Sequence, residues 1–164
     1  MFLFEEATAA AAEEIAKIRL AVAEKLTAEY GKGHWSSPSS IRSVLLDLRT
    51  SSVYIARQQE RVIATLRLVT KKPWAIDTQY FTPGKRPLYL TSMAVDPELQ
   101  RQGIGRYCLE EVKRIAREWP SDVIRLDAYD AEAGAGRFYA KCGYREVGRA
   151  AYRKIRLIYF ELLV

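Results

Sequence analysis

LYLTSMAVDPELQRQGIGRYCLEEVKRIAREW, residues 88–119, is the most informative stretch of this sequence. It opens with an apolar run that Asp96 and Pro97 end, passes through two glycines, and continues with apolar residues spaced along one face of a helix. The residues on that face are Ile104, Cys108, Val112, Ile115 and Trp119. The pattern predicts a strand, a glycine turn and a helix that lies on a sheet.

The glycine turn precedes a predicted helix, and the first N–H groups of a helix have no partner within it. These groups carry the positive end of the helix dipole, so they can bind an anion. Gly103 and Gly105 lack the side chains that would keep a phosphate away, and Arg101 and Arg106 add positive charge. The turn is therefore predicted to bind a pyrophosphate.

Two well-known phosphate-binding loops fit these residues poorly. The nucleoside triphosphate loop needs Gly-Lys followed by Ser or Thr, whereas Arg106 and Tyr107 follow Gly105. The dinucleotide fingerprint needs Gly or Ala three residues after its second glycine, where Cys108 stands.

Two groups of residues together resemble the GNAT superfamily of acyl-coenzyme A dependent N-acyltransferases. Its signature is Gln or Arg, two residues, Gly, one residue, and Gly or Ala, which Gln100, Gly103 and Gly105 match. A second pattern lies downstream, where this chain has Asp in place of the family's usual Asn. The downstream residues are Asp130, Ala135, Phe138-Tyr139 and Gly143-Tyr144. The resemblance spans roughly residues 88–152.

The resemblance implies an α/β protein with the GNAT fold. This fold is a central mixed, mostly antiparallel sheet of about seven strands flanked by helices, with a parallel strand-helix-strand crossover at the coenzyme A site. The residue patterns predict strands at 1–5, 53–56, 62–69, 88–95, 123–128, 144–148 and 152–164. They predict helices after a cap at Thr8 and at 41–48, 104–119 and 131–142. The length of 164 residues predicts one domain, 1–164.

The resemblance also implies the activity and its residues. The protein would transfer an acetyl group from acetyl-CoA to a primary amine by direct attack in a ternary complex. The candidate cofactor contacts are Met93, Ala94, Val95, Gln100, Arg101, Gln102, Gly103, Ile104, Gly105, Arg106 and Asp130. Among them, the Met93 N–H is the candidate donor to the oxyanion.

Tyr139 is the candidate general acid, because a phenol can give a proton to the departing thiolate. A tyrosine beside a phenylalanine is more commonly a packing residue whose hydroxyl bonds the backbone. Asp77 and Asp127 are the nearest acids, but each has the features of a solvated or capping side chain. No general base is therefore predicted.

Two other functions are left open. One is a non-catalytic module that binds or senses coenzyme A or acyl-CoA. The other is a nucleic-acid binding protein, which the net charge of +6 would suit. No compact Lys/Arg block with interleaved aromatics occurs, so nucleic acid is the weaker choice. The resemblance implies a small-molecule or peptide amine as the acceptor, and the loop at 71–87 either binds a ligand or packs its aromatics against the core.

The remaining features concern metals, location and assembly. Cys108 and Cys142 fall in apolar helical patterns and His34 stands alone, so no metal site is predicted. Glu5 and Glu6 follow a very short apolar start and no segment reaches membrane-spanning length, so we expect a cytoplasmic protein without membrane contact. The apolar last strand, 155–164, suggests a homodimer through that edge.

Overall fold

The computed structural model describes residues 1–164 and contains seven strands and four α-helices. The strands are β1 (Leu3–Glu6), β2 (Ser52–Gln58), β3 (Arg61–Val69), β4 (Pro87–Val95), β5 (Val123–Tyr129), β6 (Arg145–Tyr152) and β7 (Ile155–Leu163). The helices are α1 (Ala12–Tyr30), α2 (Ile41–Thr50), α3 (Ile104–Glu118) and α4 (Gly136–Lys141). No helix is long and apolar enough to cross a membrane.

The strands form one mixed sheet in the order β1-β2-β3-β4-β5-β7-β6. The pairs β1–β2, β2–β3, β5–β7 and β6–β7 are antiparallel, whereas β4 and β5 are parallel. The parallel pair is joined through α3, as the crossover prediction requires. The predicted fold class is confirmed.

The chain forms two compact units. The first consists of residues 1–68 and 92–108, and the second of residues 69–91 and 109–164. The single domain expected from the length stays a prediction.

The core of the first unit lies between its helices and strands. Ile15 and Ile18 on α1 are buried against apolar side chains of β2 and β3, because they recur on one face of the helix. Ala94 belongs to the same cluster, so the end of β4 is packed into this core. Burying each large aliphatic side chain contributes roughly 1.5–3 kcal/mol.

The core of the second unit holds the 71–87 loop in place. Ile76 and Phe81 are buried with Tyr89, Leu157 and Tyr159. The Tyr159 hydroxyl donates to the carbonyl of Ala75 and accepts the N–H of Asp77. The interpretation that this loop packs its aromatics against the core is therefore correct for Phe81. It does not hold for Trp74, whose side chain is 74% exposed.

A buried polar network supports the same loop. The Glu161 carboxylate accepts hydrogen bonds from the Thr82 hydroxyl at 2.6 Å and from Arg145 at 2.6 Å. Burial alone would raise the pKa of Glu161, but these hydrogen bonds outweigh it and hold the pKa below its usual value. Arg125, the cross-strand neighbour of Glu161, donates to the Thr82 carbonyl at 2.8 Å and to the Tyr89 hydroxyl at 3.0 Å.

Two helix predictions need correction. The helix predicted at 131–142 begins only at Gly136, because residues before it form a turn closed by the Gly134 N–H and the Ala131 carbonyl. A Cβ at Gly134 would lie 2.0 Å from the Tyr129 carbonyl oxygen, so this tight turn requires glycine at that position. Thr8 precedes a short 3₁₀ turn but makes no side-chain capping bond, and α1 begins at Ala12.

The C-terminal strands also differ from the prediction. β6 runs to Tyr152, and a two-residue turn joins it to β7. Arg153 and Lys154 in that turn have φ of 47° and 69°, a conformation usually supplied by Asn-Gly, so the sequence carries no turn signal. β7 pairs with both β5 and β6, so the expectation that this strand forms an edge of the sheet is wrong, whereas a homodimer stays a prediction.

Candidate functional site

The end of β4 carries an irregularity next to the first predicted contacts. Ser92 has φ of 52°, which interrupts the extended strand and costs a non-glycine residue roughly 1 kcal/mol or more. Met93, Ala94 and Val95 follow it directly. The pairing with β5 has already ended at Tyr89. Backbone outliers of this kind cluster at binding sites, which agrees with the bulge that the family resemblance implies.

Asp96 fixes the direction in which the chain leaves β4. Its N–H donates to the Ile63 carbonyl at 2.9 Å, and its carboxylate accepts the Glu98 N–H at 3.0 Å. Arg61 forms an ion pair with the same carboxylate. These bonds cap the short 3₁₀ turn Pro97–Leu99, so the segment that leads into the glycine turn is tied to β3.

Gln100, the first residue of the family signature, is held at both ends of its amide. Its Nε2 donates to the Val95 carbonyl at 3.3 Å, and its Oε1 accepts a hydrogen bond from the Lys25 ammonium at 2.9 Å. Sequence reasoning missed Lys25, because it lies 75 positions earlier in the chain and no local motif marks it.

The glycine turn has the backbone that an anion site needs. Arg101 and Gly103 have φ of 65° and 82°, and both are exposed. The Gly103 carbonyl accepts the Tyr107 N–H at 3.0 Å, so Gly103 caps α3 directly before its first residue, Ile104. The N–H groups of Ile104 and Gly105 precede this first hydrogen bond of the helix, in the position where a helix N-terminus can bind an anion. A Cβ on Gly103 would meet no atom within 4 Å, so the space beside this glycine is open.

The apolar stripe of α3 sets the orientation of this helix. Ile104, Cys108, Val112 and Ile115 are buried, as the sequence predicts. Trp119 is the exception, because it lies beyond the last residue of the helix and is partly exposed. A long, buried helix face gives the N-terminus a fixed direction, which is the requirement for preorganised anion binding.

Tyr139 lies on α4 in an aromatic cluster of the second unit. Its ring centroid is 5.8 Å from that of Tyr144 and 6.1 Å from that of Phe160. Gly136 allows this packing, because a Cβ there would come within 3.3 Å of the Phe160 ring. Burial, with a smaller contribution from the charge of Asp127, raises the pKa of Tyr139 well above its usual value. The phenol therefore keeps its proton throughout the neutral range.

Asp77 and Asp127, to which the sequence assigns no role, have different surroundings in the structure. The Asp77 carboxylate accepts the Gln79 N–H at 3.0 Å and caps a 3₁₀ turn, which is a structural role. Asp127 is half-buried, and burial raises its pKa. Its charge also raises the pKa of Tyr129 and Tyr139, so it lies in the same electrostatic environment as the candidate acid.

Asp130, the residue that replaces the usual Asn, pairs with two arginines. Its carboxylate oxygens lie 3.2 Å from Arg149 and 3.5 Å from Arg156. Neither arginine was a candidate from the sequence. A role for Asp130 in cofactor binding stays a prediction, and the two arginines would be part of that contact.

The predicted residues thus fall into two groups. The first unit holds Met93, Ala94, Val95 and the whole glycine turn from Gln100 to Arg106, together with Lys25. The second unit holds Asp127, Asp130 and Tyr139. No group of three or more His, Cys, Asp or Glu side chains is arranged to hold a metal ion.

Comparison with protein families gives one match. The sequence model described as the acetyltransferase (GNAT) family matches residues 12–144. This range includes the glycine turn, Asp130 and Tyr139. No curated protein has a significantly similar sequence.

Solved structures with the same fold include several bacterial proteins, two of them N-acetyltransferases. One is an N-acetyltransferase from Staphylococcus aureus Mu50, with a TM-score of 0.73 and 16% identity over 99% of this chain and 98% of that one. A second is the ribosomal-protein-S18-alanine N-acetyltransferase of Escherichia coli, with a TM-score of 0.71 and 16% identity over 99% of this chain and 94% of that one. A third is the yncA protein of Salmonella typhimurium with its cofactor acetyl-CoA, with a TM-score of 0.69 and 16% identity over 99% of this chain and 93% of that one.

Proposed function

Because the chain belongs to the acetyltransferase (GNAT) family and so is an acyltransferase, we propose that it transfers an acetyl group from acetyl-CoA to a primary amine by direct attack in a ternary complex. The observation that carries the proposal is the glycine turn, whose backbone is exposed and left-handed at Arg101 and Gly103 and leads directly into the N-terminus of α3. Acetyl-CoA, when bound, supplies the acetyl group as an activated thioester. The acceptor is a small-molecule or peptide amine, and we expect the protein to act in the cytoplasm.

The first unit would hold the cofactor. The N–H groups at the start of α3, from Ile104 to Arg106, would bind the diphosphate, with Arg101 and Gln102 at the rim of the same turn. Backbone groups of Met93, Ala94 and Val95 would hold the pantetheine arm. The Met93 N–H would donate to the carbonyl oxygen of the thioester, where negative charge develops during the reaction. The open space beside Gly103 supports this fit.

Tyr139 would give its hydroxyl proton to the departing thiolate. A buried phenol with a raised pKa is fully protonated at neutral pH, so the proton is present when the thiolate forms. Asp130 would contact the cofactor through its carboxylate or through Arg149 and Arg156, with which it forms ion pairs.

Asp127 would accept the proton of the acceptor amine. A carboxylate whose pKa burial has raised is a better base than a solvated one. It also influences the Tyr139 phenol electrostatically, so one acid and one base would share the environment. This assignment supplies the base that the sequence did not identify.

A substitution at Gly103 tests the cofactor site. We expect Gly103→Glu to weaken acetyl-CoA binding about 100-fold or more in calorimetric titration, because it adds negative charge in front of the α3 N–H groups; such a loss equals roughly 3 kcal/mol. Gly31→Glu is the control, since Gly31 has φ of 83° and equally open space at its Cβ. Equal binding by both variants, or no binding by the folded wild type, would contradict the proposal. Binding without any turnover would indicate the sensing module instead.

A substitution at Tyr139 tests the general acid. Tyr139→Phe should lower kcat roughly 100-fold or more while leaving the Kd for acetyl-CoA nearly unchanged, because only proton transfer is lost. Tyr144→Phe is a matched control: the Tyr144 ring is also buried, and its hydroxyl has no hydrogen-bond partner. Thiol release in the presence of an acceptor amine gives kcat. Equal loss in both variants would remove Tyr139 from this role.

The pH dependence of turnover tests Asp127. Since burial raises the pKa of Asp127, the base form appears only above that pKa, and kcat should rise with pH through a step that lies above the usual aspartate value of about 3.9. Asp127→Asn should remove this step and lower kcat, whereas Asp77→Asn should keep it. If kcat of Asp127→Asn still rises with pH, the remaining rise is due to deprotonation of the acceptor amine. An unchanged profile in Asp127→Asn would rule Asp127 out as the base.

A further inference from the structure

We propose that Lys25, on α1, is a positioning residue for the cofactor site, and that it raises the affinity for acetyl-CoA by holding Gln100 and the glycine turn in their binding conformation. The proposal rests on the proposed function, because it concerns the same cofactor.

Two hydrogen bonds connect Lys25 to the site. The Lys25 ammonium donates to the Gln100 Oε1 at 2.9 Å, and the Gln100 Nε2 donates to the Val95 carbonyl at 3.3 Å. The side chain of Gln100 therefore joins α1 to the last residue of β4. A cation accepts no hydrogen bond, so Lys25 can face only the oxygen of this amide and thereby fixes which end of Gln100 points at Val95.

Gln100 lies at the start of the glycine turn, so its hydrogen bonds affect the conformation of the turn. Gln100 has extended backbone and is followed by Arg101 in the left-handed region, so the chain changes direction at this point. Arg101, Gln102 and Gly103 are all exposed and present little side-chain packing to hold the turn. The amide of Gln100 is thus an anchor at the start of the turn. Holding a binding loop in its bound conformation reduces the ordering cost of binding.

Lys25 also brings positive charge to the first residue of the turn. Its nearest acid, Glu29, lies 3.9 Å away and is exposed, so the pair is weak and neutralises the ammonium poorly. The charge adds to that of Arg101 and Arg106 and favours a diphosphate.

Lys25 contributes little to the core. Its side chain is 37% exposed, whereas α1 is held by the buried Ile15 and Ile18. Removal of the ammonium should therefore leave the fold intact, and an effect on binding can be measured in a folded protein. Lys17 is a control on the same helix, because it is an exposed lysine whose loss changes the net charge equally.

Calorimetric titration with acetyl-CoA tests the proposal. Lys25→Met should raise Kd about 10-fold, equal to roughly 1.4 kcal/mol, while Lys17→Met should leave it within about two-fold. Lys25→Arg should restore most of the affinity, because guanidinium can donate to the same oxygen. The thermal unfolding temperature without ligand should be the same for Lys25→Met and Lys17→Met.

A double-mutant cycle with Gln100→Ala shows whether Lys25 acts through Gln100. If it does, Lys25→Met adds little to the loss caused by Gln100→Ala, and the two effects are not additive. Fully additive losses, or equal Kd values for Lys25→Met and Lys17→Met, would overturn the role of Lys25 while leaving the proposed function intact. No binding of acetyl-CoA by the wild type would overturn both.

Discussion

The start of α3 is the constraint on which the cofactor site depends. An α-helix leaves its first N–H groups without carbonyl partners inside the helix, and here Gly103, directly before α3, has a φ of 82°. The conformation is available to glycine at little cost and strains other residues. Asp96 and Gln100 tie the preceding segment to β3 and to the end of β4, so the turn cannot rearrange freely. The family's glycine signature is therefore a requirement of backbone geometry.

Three acids in the second unit show how the surroundings of a carboxylate determine its role. Glu161 is buried but accepts hydrogen bonds from Thr82 and Arg145, which keep its pKa low, so it serves the structure. Asp130 pairs with two arginines. Asp127 is half-buried, and burial raises its pKa, so its surroundings favour the protonated form more than those of Glu161 do. Spacing along the sequence does not distinguish these three residues, whereas their neighbours in the fold do.

Local patterns predicted most of the fold. The alternating residues of the β2–β3 hairpin, the apolar face of α3 and the glycine turn each carry their signal within one segment, and each is confirmed. The two-residue turn at Arg153 and Lys154 was missed because its residues are unusual for that backbone. Lys25 could not be found, because its partner Gln100 is distant in sequence and only the packing of α1 brings them together. Interactions of this kind depend on the tertiary fold, so no window of sequence contains them.

The most direct measurement is an amide NMR titration of the protein with acetyl-CoA. If the diphosphate binds at the start of α3, the largest chemical-shift changes should fall on the backbone N–H groups of residues 101–106, with smaller changes at Met93, Ala94 and Val95. These signals should move together with one Kd, because one ligand contacts them all. Changes concentrated elsewhere in the chain, with residues 101–106 unaffected, would contradict the assignment of the glycine turn as the cofactor site.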